Sequence, residues 1–171
     1  MSGTDGAATV AEPVLADFPV RRRGAWLEKF AVGEVFDHHW GRTITDGDNA
    51  VFSTVTCNWN PMHLNAEFAR AHGHEDVVVN SMLVLCTVIG LSVEDLSESG
   101  GPFVAIDDCV FEKPVFPGDT LTVRSTVLDS RESRSRPKAG IVTWRTEAIN
   151  QNGARVLHYI RKNLIAKDSS R

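Results

Sequence analysis

The sequence predicts an α+β domain in which one long antiparallel sheet wraps around a single buried helix. Met82 to Val93 is almost wholly apolar, and a helix that is apolar all round is a buried one. From Phe103 onward the chain changes character to β-branched, alternating segments separated by turn residues, the pattern of an antiparallel meander. A sheet with one apolar face must cover it, and curling that face around the apolar helix does so. One curved sheet cannot cover every side of the helix. A second copy of the chain is therefore expected, as a homodimer or higher homo-oligomer.

The elements follow in order. Residues 1–24 lack periodicity and read as a flexible tail ending at Arg21-Arg22-Arg23, a solvated junction; the domain spans 25–167. Glu34 to Trp40 reads as a short strand. Thr45 starts a helix, with Asp48 three residues on as its capping-box partner. That helix must stop near Asn58, because Asn60-Pro61 disfavours helical geometry before the proline. Asn65 can cap a short helix from Ala66 to His72, ended by Gly73. Ser81 is the candidate cap of the apolar helix, and Ser92, Glu94 and Asp95 mark its exit. Strands are expected at Phe103–Phe111, Thr120–Asp129, Ile141–Ile149 and Arg155–Ala166. Pro117-Gly118-Asp119 forms one turn, and Gln151-Asn152-Gly153 closes a hairpin.

Composition removes several function classes. Eighteen basic against twenty-two acidic residues give a net charge of −4, which argues against a dedicated nucleic-acid binder. No apolar run approaches the roughly 18 residues needed to span a bilayer, and the first residues lack a signal peptide's cationic start and apolar core. Cys57, Cys86 and Cys109 are too few and too oddly numbered for a disulfide framework, so a cytoplasmic protein is expected. Cys57 and Cys86 sit in apolar helical settings and read as small core residues.

Chemistry concentrates in Thr56-Cys57-Asn58-Trp59-Asn60-Pro61-Met62-His63-Leu64-Asn65, a loop between two helices. His63 is its best titratable candidate, because an imidazole, with an ordinary pKa of about 6.5, gives and takes protons at neutral pH. A hydrogen-bonded surface histidine is the plainer alternative. At Asn80-Ser81-Met82 the start of the apolar helix offers free backbone N–H groups and the positive end of its dipole. Arg131 to Lys138 is a cationic loop between strands. Its Arg134 and Arg136 suit phosphate or carboxylate through bidentate pairing, and a solvated loop is the alternative. His72-Gly73-His74 lacks a Cys or carboxylate pattern to complete a zinc site, so no metal is expected. His38 and His39 would face opposite sides of a strand. The Asp107-Asp108 pair reads as a strand end.

N-W-N-P-M-H at 58–63 resembles the D-x-N-P-x-H signature of the MaoC-like, (R)-specific enoyl-CoA hydratases. Gly41-Arg42-Thr43-Ile44-Thr45 before a helix, V-N-S-M-L-V-L at 79–85 and P-V-F-P-G-D-T-L at 114–121 resemble that family's further segments, in its order. N-x-N-P-x-H, V-N-S and R-E-S-R-S-R-P-K-A-G-I-V-T at 131–143 are most similar to the mesaconyl-CoA hydratase or β-methylmalyl-CoA dehydratase branch. The resemblance implies a dimeric hot-dog fold and a hydro-lyase acting at C3 of a short branched or dicarboxylic enoyl thioester. It also implies no cofactor beyond the CoA or carrier-protein phosphopantetheine of the substrate.

It implies His63 as the acid/base group, with Asn58 standing where the family has its carboxylate. An amide orients a water but takes no proton at neutral pH. Either His63 handles the proton alone, or another group helps, or hydration is lost; in the branch the sequence most resembles, asparagine is the usual residue there. Backbone donors near Ser81 would hold the thioester oxygen, with Asn60, Asn80 and Met82 shaping the substrate site. Arg134 and Arg136 would meet a CoA phosphate or an acyl carboxylate. Two rivals remain at this level: a hot-dog thioesterase, for which Glu67 is the nearest carboxylate, and a repurposed, non-catalytic thioester-binding protein.

Overall fold

A computed structural model describes residues 25–98 and 101–168. The expected tail, with Arg21–Arg23, lies outside the described residues. Strands β1 (Val35–Asp37) and β2 (Arg42–Thr43) precede helices α1 (Asp46–Val55), α2 (Ala66–Ala71) and α3 (Ser81–Leu96). Strands β3 (Phe103–Phe111), β4 (Thr120–Glu132), β5 (Ala139–Asn150) and β6 (Arg155–Ala166) follow. All pairings are antiparallel, in the order β1-β4-β5-β6-β3, with β2 also on β4. This is the expected hot-dog architecture: six strands curled around α3. None of the described helices is long and apolar enough to cross a membrane.

Alternation builds the inner face of the sheet. Leu121, Val123, Ser125 and Val127 of β4 point inward and are buried, while Thr122, Arg124 and Thr126 are not. A bulge between Val127 and Asp129 then shifts the ladder against Trp144 and Thr143, leaving Leu128 exposed. Opposite this face, α3 lays down Val84, Val88, Ser92 and Leu96, a line at i, i+4 spacing that is fully buried. Burying a valine such as Val88 contributes about 1.5–3 kcal/mol. The chain enters β3 through Gly101, where φ is +127° and a Cβ would fall 1.8 Å from the Leu164 carbonyl oxygen. Only glycine fits there.

Thr45 caps α1 as a complete capping box with Asp48. Asp48 is held below the ordinary carboxylate range, first by the Thr45 backbone N–H and then by its hydroxyl. Asn65 caps α2. The cap of α3 is Asn80, one residue before the expected Ser81; the Asn80 side chain accepts from Met82 N–H and Ser81 is the first helical residue. The helix also runs past Val93, because Asp95 is bonded to His38 and Leu96 joins the second core cluster.

Two expectations about apolar positions need correction. Cys57 and Cys86, like Cys109, are exposed and not core residues. Cys57 sits in the turn that ends α1 with φ +56°, outside the helix, and Cys86 lies on the side of α3 that the sheet leaves open. That side carries Met82, Cys86, Gly90 and Val93, with Met82 47% and Val93 37% exposed. The apolar helix is thus buried on one face only within a single chain.

Candidate active site

The loop after α1 is built by local geometry. Cys57 takes the left-handed conformation that lets the chain leave the helix, and Asn58 N–H returns to the Ser53 carbonyl at 2.9 Å. Asn60 caps a single 3-10 turn, Pro61–His63, by accepting from Met62 N–H at 3.0 Å, with Pro61 at its first position. The turn fixes the direction of the half-buried His63.

His63 Nδ1 lies 2.8 Å from the Val78 carbonyl oxygen. A carbonyl only accepts, so Nδ1 carries the proton and, in the neutral ring, Nε2 is left as the acceptor. Val78 belongs to the segment leading into α3, and the loop is tied to that segment a second time. Asn49, buried on the inner face of α1, donates from Nδ2 to the His63 carbonyl at 2.9 Å and accepts Asn80 N–H on Oδ1 at 2.8 Å. Asn80 Nδ2 in turn donates to the buried Ser53 hydroxyl at 3.3 Å. Asn49 and Ser53 are therefore the clasp between the His63 loop and the start of α3. Neither is singled out by the sequence reading. The available signal is a pair of small polar residues at i, i+4 on an otherwise ordinary helix.

The clasp decides which donors remain at the start of α3. Met82 N–H is taken by Asn80 Oδ1, Asn80 N–H by Asn49, and Val84 N–H by the Asn80 carbonyl. Ser81 N–H precedes the first intrahelical bond and has no partner among the described residues. Ser81 lines a groove of about 230 Å³ with Val78, Val79, Val84, Phe111 and Lys113. His63, Asn58, Asn60, Asn80, Ser81 and Met82 are thus gathered at one end of the molecule, joined through Asn49 and Val78.

Arg134 and Arg136 are not part of this gathering. They follow the far end of β4, whose 13 residues begin on the side where α3 starts. At about 3.3 Å per residue, roughly 40 Å of strand lie between. Arg134 lines a separate surface groove with Arg131 and Ser133. Glu67, on α2, is 86% exposed and paired with Arg70 at 2.7 Å.

A second constellation lies inside the sheet. His38 Nδ1 meets Asp95 Oδ2 at 2.6 Å, and His38 Nε2 meets the Ser125 hydroxyl at 2.9 Å. As expected, His39 faces out while His38 faces in. The order Asp–His–Ser is that of a hydrolase triad. Ser125, however, is fully buried and also bonded to Thr146, so no substrate reaches it. These residues tie the end of α3 to β4 through His38, the residue that follows β1.

A helix wrapped by an antiparallel sheet, with an N-x-N-P-x-H loop bound to the helix start, defines a MaoC-like hot-dog protein. The model of the mesaconyl-CoA hydratase family matches residues 4–170, and the chain belongs to that family. Among similar proteins, the mesaconyl-CoA hydratase of Haloarcula hispanica is 38% identical over 148 residues, 86% of this chain and 41% of that protein. The β-methylmalyl-CoA dehydratase of Chloroflexus aurantiacus is 31% identical over 84% of this chain and 41% of its own length. The crystal structure of a putative MaoC domain protein dehydratase from Chloroflexus aurantiacus superposes with a TM-score of 0.82 at 31% identity. The match covers 85% of this chain and 41% of that one. The chain thus spans about 41% of the length of these relatives.

Proposed function

We propose that the chain is an acyl-thioester hydro-lyase. It adds water to, or removes it from, C3 of a short branched or dicarboxylic enoyl thioester of the mesaconyl-CoA kind. The observation that carries this is the fixed tautomer of His63: Nδ1 is committed to the Val78 carbonyl, so Nε2 is a base. In hydration Nε2 takes a proton from water as the oxygen bonds to C3. The C2–C3 π pair moves toward C2 and the thioester oxygen, and the same proton is returned to C2. Water is consumed whole, and no metal or redox group takes part. The Ser81 N–H, left unpaired at the positive end of α3, stabilises the charge that grows on the thioester oxygen.

Asn58 holds the attacking water as donor and acceptor and leaves all proton transfer to His63. Asn60 and Asn80 shape the site from behind, since their side-chain oxygens are occupied by Met62 and Met82 N–H. CoA, or the phosphopantetheine of a carrier protein, enters as part of the substrate. Arg134 and Arg136 serve this site only from a second copy of the chain.

The homodimer belongs to the same reading. The open strip of α3 and the free outer edge of β3, with Phe103, Val104, Val110 and Phe111 exposed, are the surfaces a second copy would cover. Gly90 lies on that strip with no atom within 4 Å of where its Cβ would stand. Gly90→Arg therefore leaves the fold of one chain intact and obstructs the strip. Light scattering should give a dimer mass for the wild type and a monomer mass for the variant; a dimeric variant would remove α3 from the interface.

The activity is tested by mass spectrometry of the purified protein with crotonyl-CoA and mesaconyl-CoA. A gain of one water is expected on the thioester. Release of free CoA would replace the reading by thioester hydrolysis, and an unchanged thioester would replace it by a binding protein.

A further inference from the structure

The groove beside Ser81 carries an unclaimed charge. Val79, Val84, Phe111 and Val115 line it together with the polar Ser81, Glu112 and Lys113. Glu112 is already engaged: Arg155 and His158 both bond its Oε1, and these bonds hold its carboxyl below the ordinary range. The Lys113 ammonium has no carboxylate partner among the described residues. The chain places Lys113 by backbone pairing, because the N–H groups of Glu112 and Lys113 both reach the Val156 carbonyl. Pro114 follows, and Val115 bonds the residue before the α3 cap. The fold therefore sets the backbone of Lys113 beside Ser81, and the side chain reaches from there along the groove. A groove that combines valine and phenylalanine side chains with one lysine lacking a carboxylate partner suits a short acyl chain that is hydrocarbon along its length and anionic at its end.

We propose that this groove receives the acyl group and that Lys113 selects thioesters whose acyl chain ends in a second carboxylate. The inference rests on the thioester reading above but not on turnover. The same ammonium would also suit a CoA phosphate, and two saturated four-carbon thioesters separate these sources. Succinyl-CoA and butyryl-CoA share the CoA moiety, and only the first bears a terminal carboxylate; neither has a double bond to hydrate.

Calorimetry at low salt should show the wild type binding succinyl-CoA about tenfold more tightly than butyryl-CoA, a difference that narrows as salt is added. Lys113→Met should erase that preference and leave butyryl-CoA affinity unchanged. Lys113→Glu should reverse the preference. Lys113 is exposed, so neither change threatens the fold. Equal weakening of both ligands by Lys113→Met would assign the amine to the CoA phosphates and overturn the proposal. An unchanged preference would overturn it too, as would a wild type that binds neither ligand. Failure to hydrate mesaconyl-CoA while the charge-dependent preference persists would count against the hydro-lyase reading alone.

Discussion

His63→Ala is expected to lower kcat/KM for hydration by about a thousandfold, within the range for loss of a general acid–base group. That corresponds to about 4 kcal/mol of transition-state stabilisation. The two ring nitrogens have separate duties, and this separates the expected effects. Nδ1 holds the Val78 carbonyl, and losing that bond costs about 1 kcal/mol of stability. Nε2 does the chemistry. The variant should therefore remain folded, keep its oligomeric mass and bind thioester with little change, while turnover collapses. His63→Gln restores a donor without a base and should be as slow as alanine. In D2O the wild type should deliver one deuterium to C2 of the product. A His63→Ala protein retaining a tenth or more of the wild-type rate would mean that water is activated elsewhere. Asn58 would then need a different account.

The same site shows what the sequence discloses and what it withholds. Asn60-Pro61 announces a rigid turn, and His63 is the group there that titrates near neutral pH when unperturbed, so the loop was legible. The tautomer of His63 was not, because it depends on the Val78 carbonyl, 15 residues away. Ser81 looked like a cap because serine favours that place; Asn80 takes it because its neighbour Asn49 already holds the backbone there, 31 residues distant. β-Branched, alternating composition made the four long strands legible. It did not reveal the bulge after Val127, a property of two paired strands. Glu94 and Asp95 read as an exit from α3 because their partners are distant: Asp95 meets His38 across 57 residues. Cys86 was misplaced for a related reason. Apolarity marks the whole circumference of the helix alike, and nothing in the sequence says that Cys86 lies on the side a single chain leaves open.

The largest stability effect is expected at Arg161, also invisible in a strand that reads RVLHYIRKNLIA. Arg161 is 1% exposed, and its hydrogen-bond partners are neutral. Nε donates to Asn163 Oδ1 at 2.8 Å, Nη1 to the Ser92 hydroxyl at 2.9 Å and Nη2 to the Ser97 hydroxyl at 2.6 Å. The rings of Phe103 and Trp144 lie 5.4 and 5.5 Å from the guanidinium carbon. Burial pushes the Arg161 pKa down. The Tyr159 hydroxyl, buried beside Thr146, Ser92 and Arg161, makes no well-directed hydrogen bond, and desolvation pushes its pKa up.

The cation is tolerable here because Ser92 and Ser97 belong to the last turn and cap of α3, where the helix dipole is negative. Arg161 thus fastens the end of the central helix to β6, much as Asn80 and Asn49 fasten its start. Arg161→Met keeps the length of the side chain and removes the fork. Asn163 and Ser97 are left buried or half-buried without their donor, at about 1–3 kcal/mol each, while relief of the desolvated charge returns part of this. A net loss of about 3 kcal/mol is expected. For a chain of 171 residues this lowers Tm by roughly 6–12 °C. The comparison must be made at fixed protein concentration, since association also raises Tm. Arg161→Lys should recover only part of the loss, because an ammonium cannot span three acceptors in one plane. If Arg161→Met were as stable as the wild type, the hydrogen bonds would be worth no more than the burial of the charge. The guanidinium would then not be what secures the end of α3.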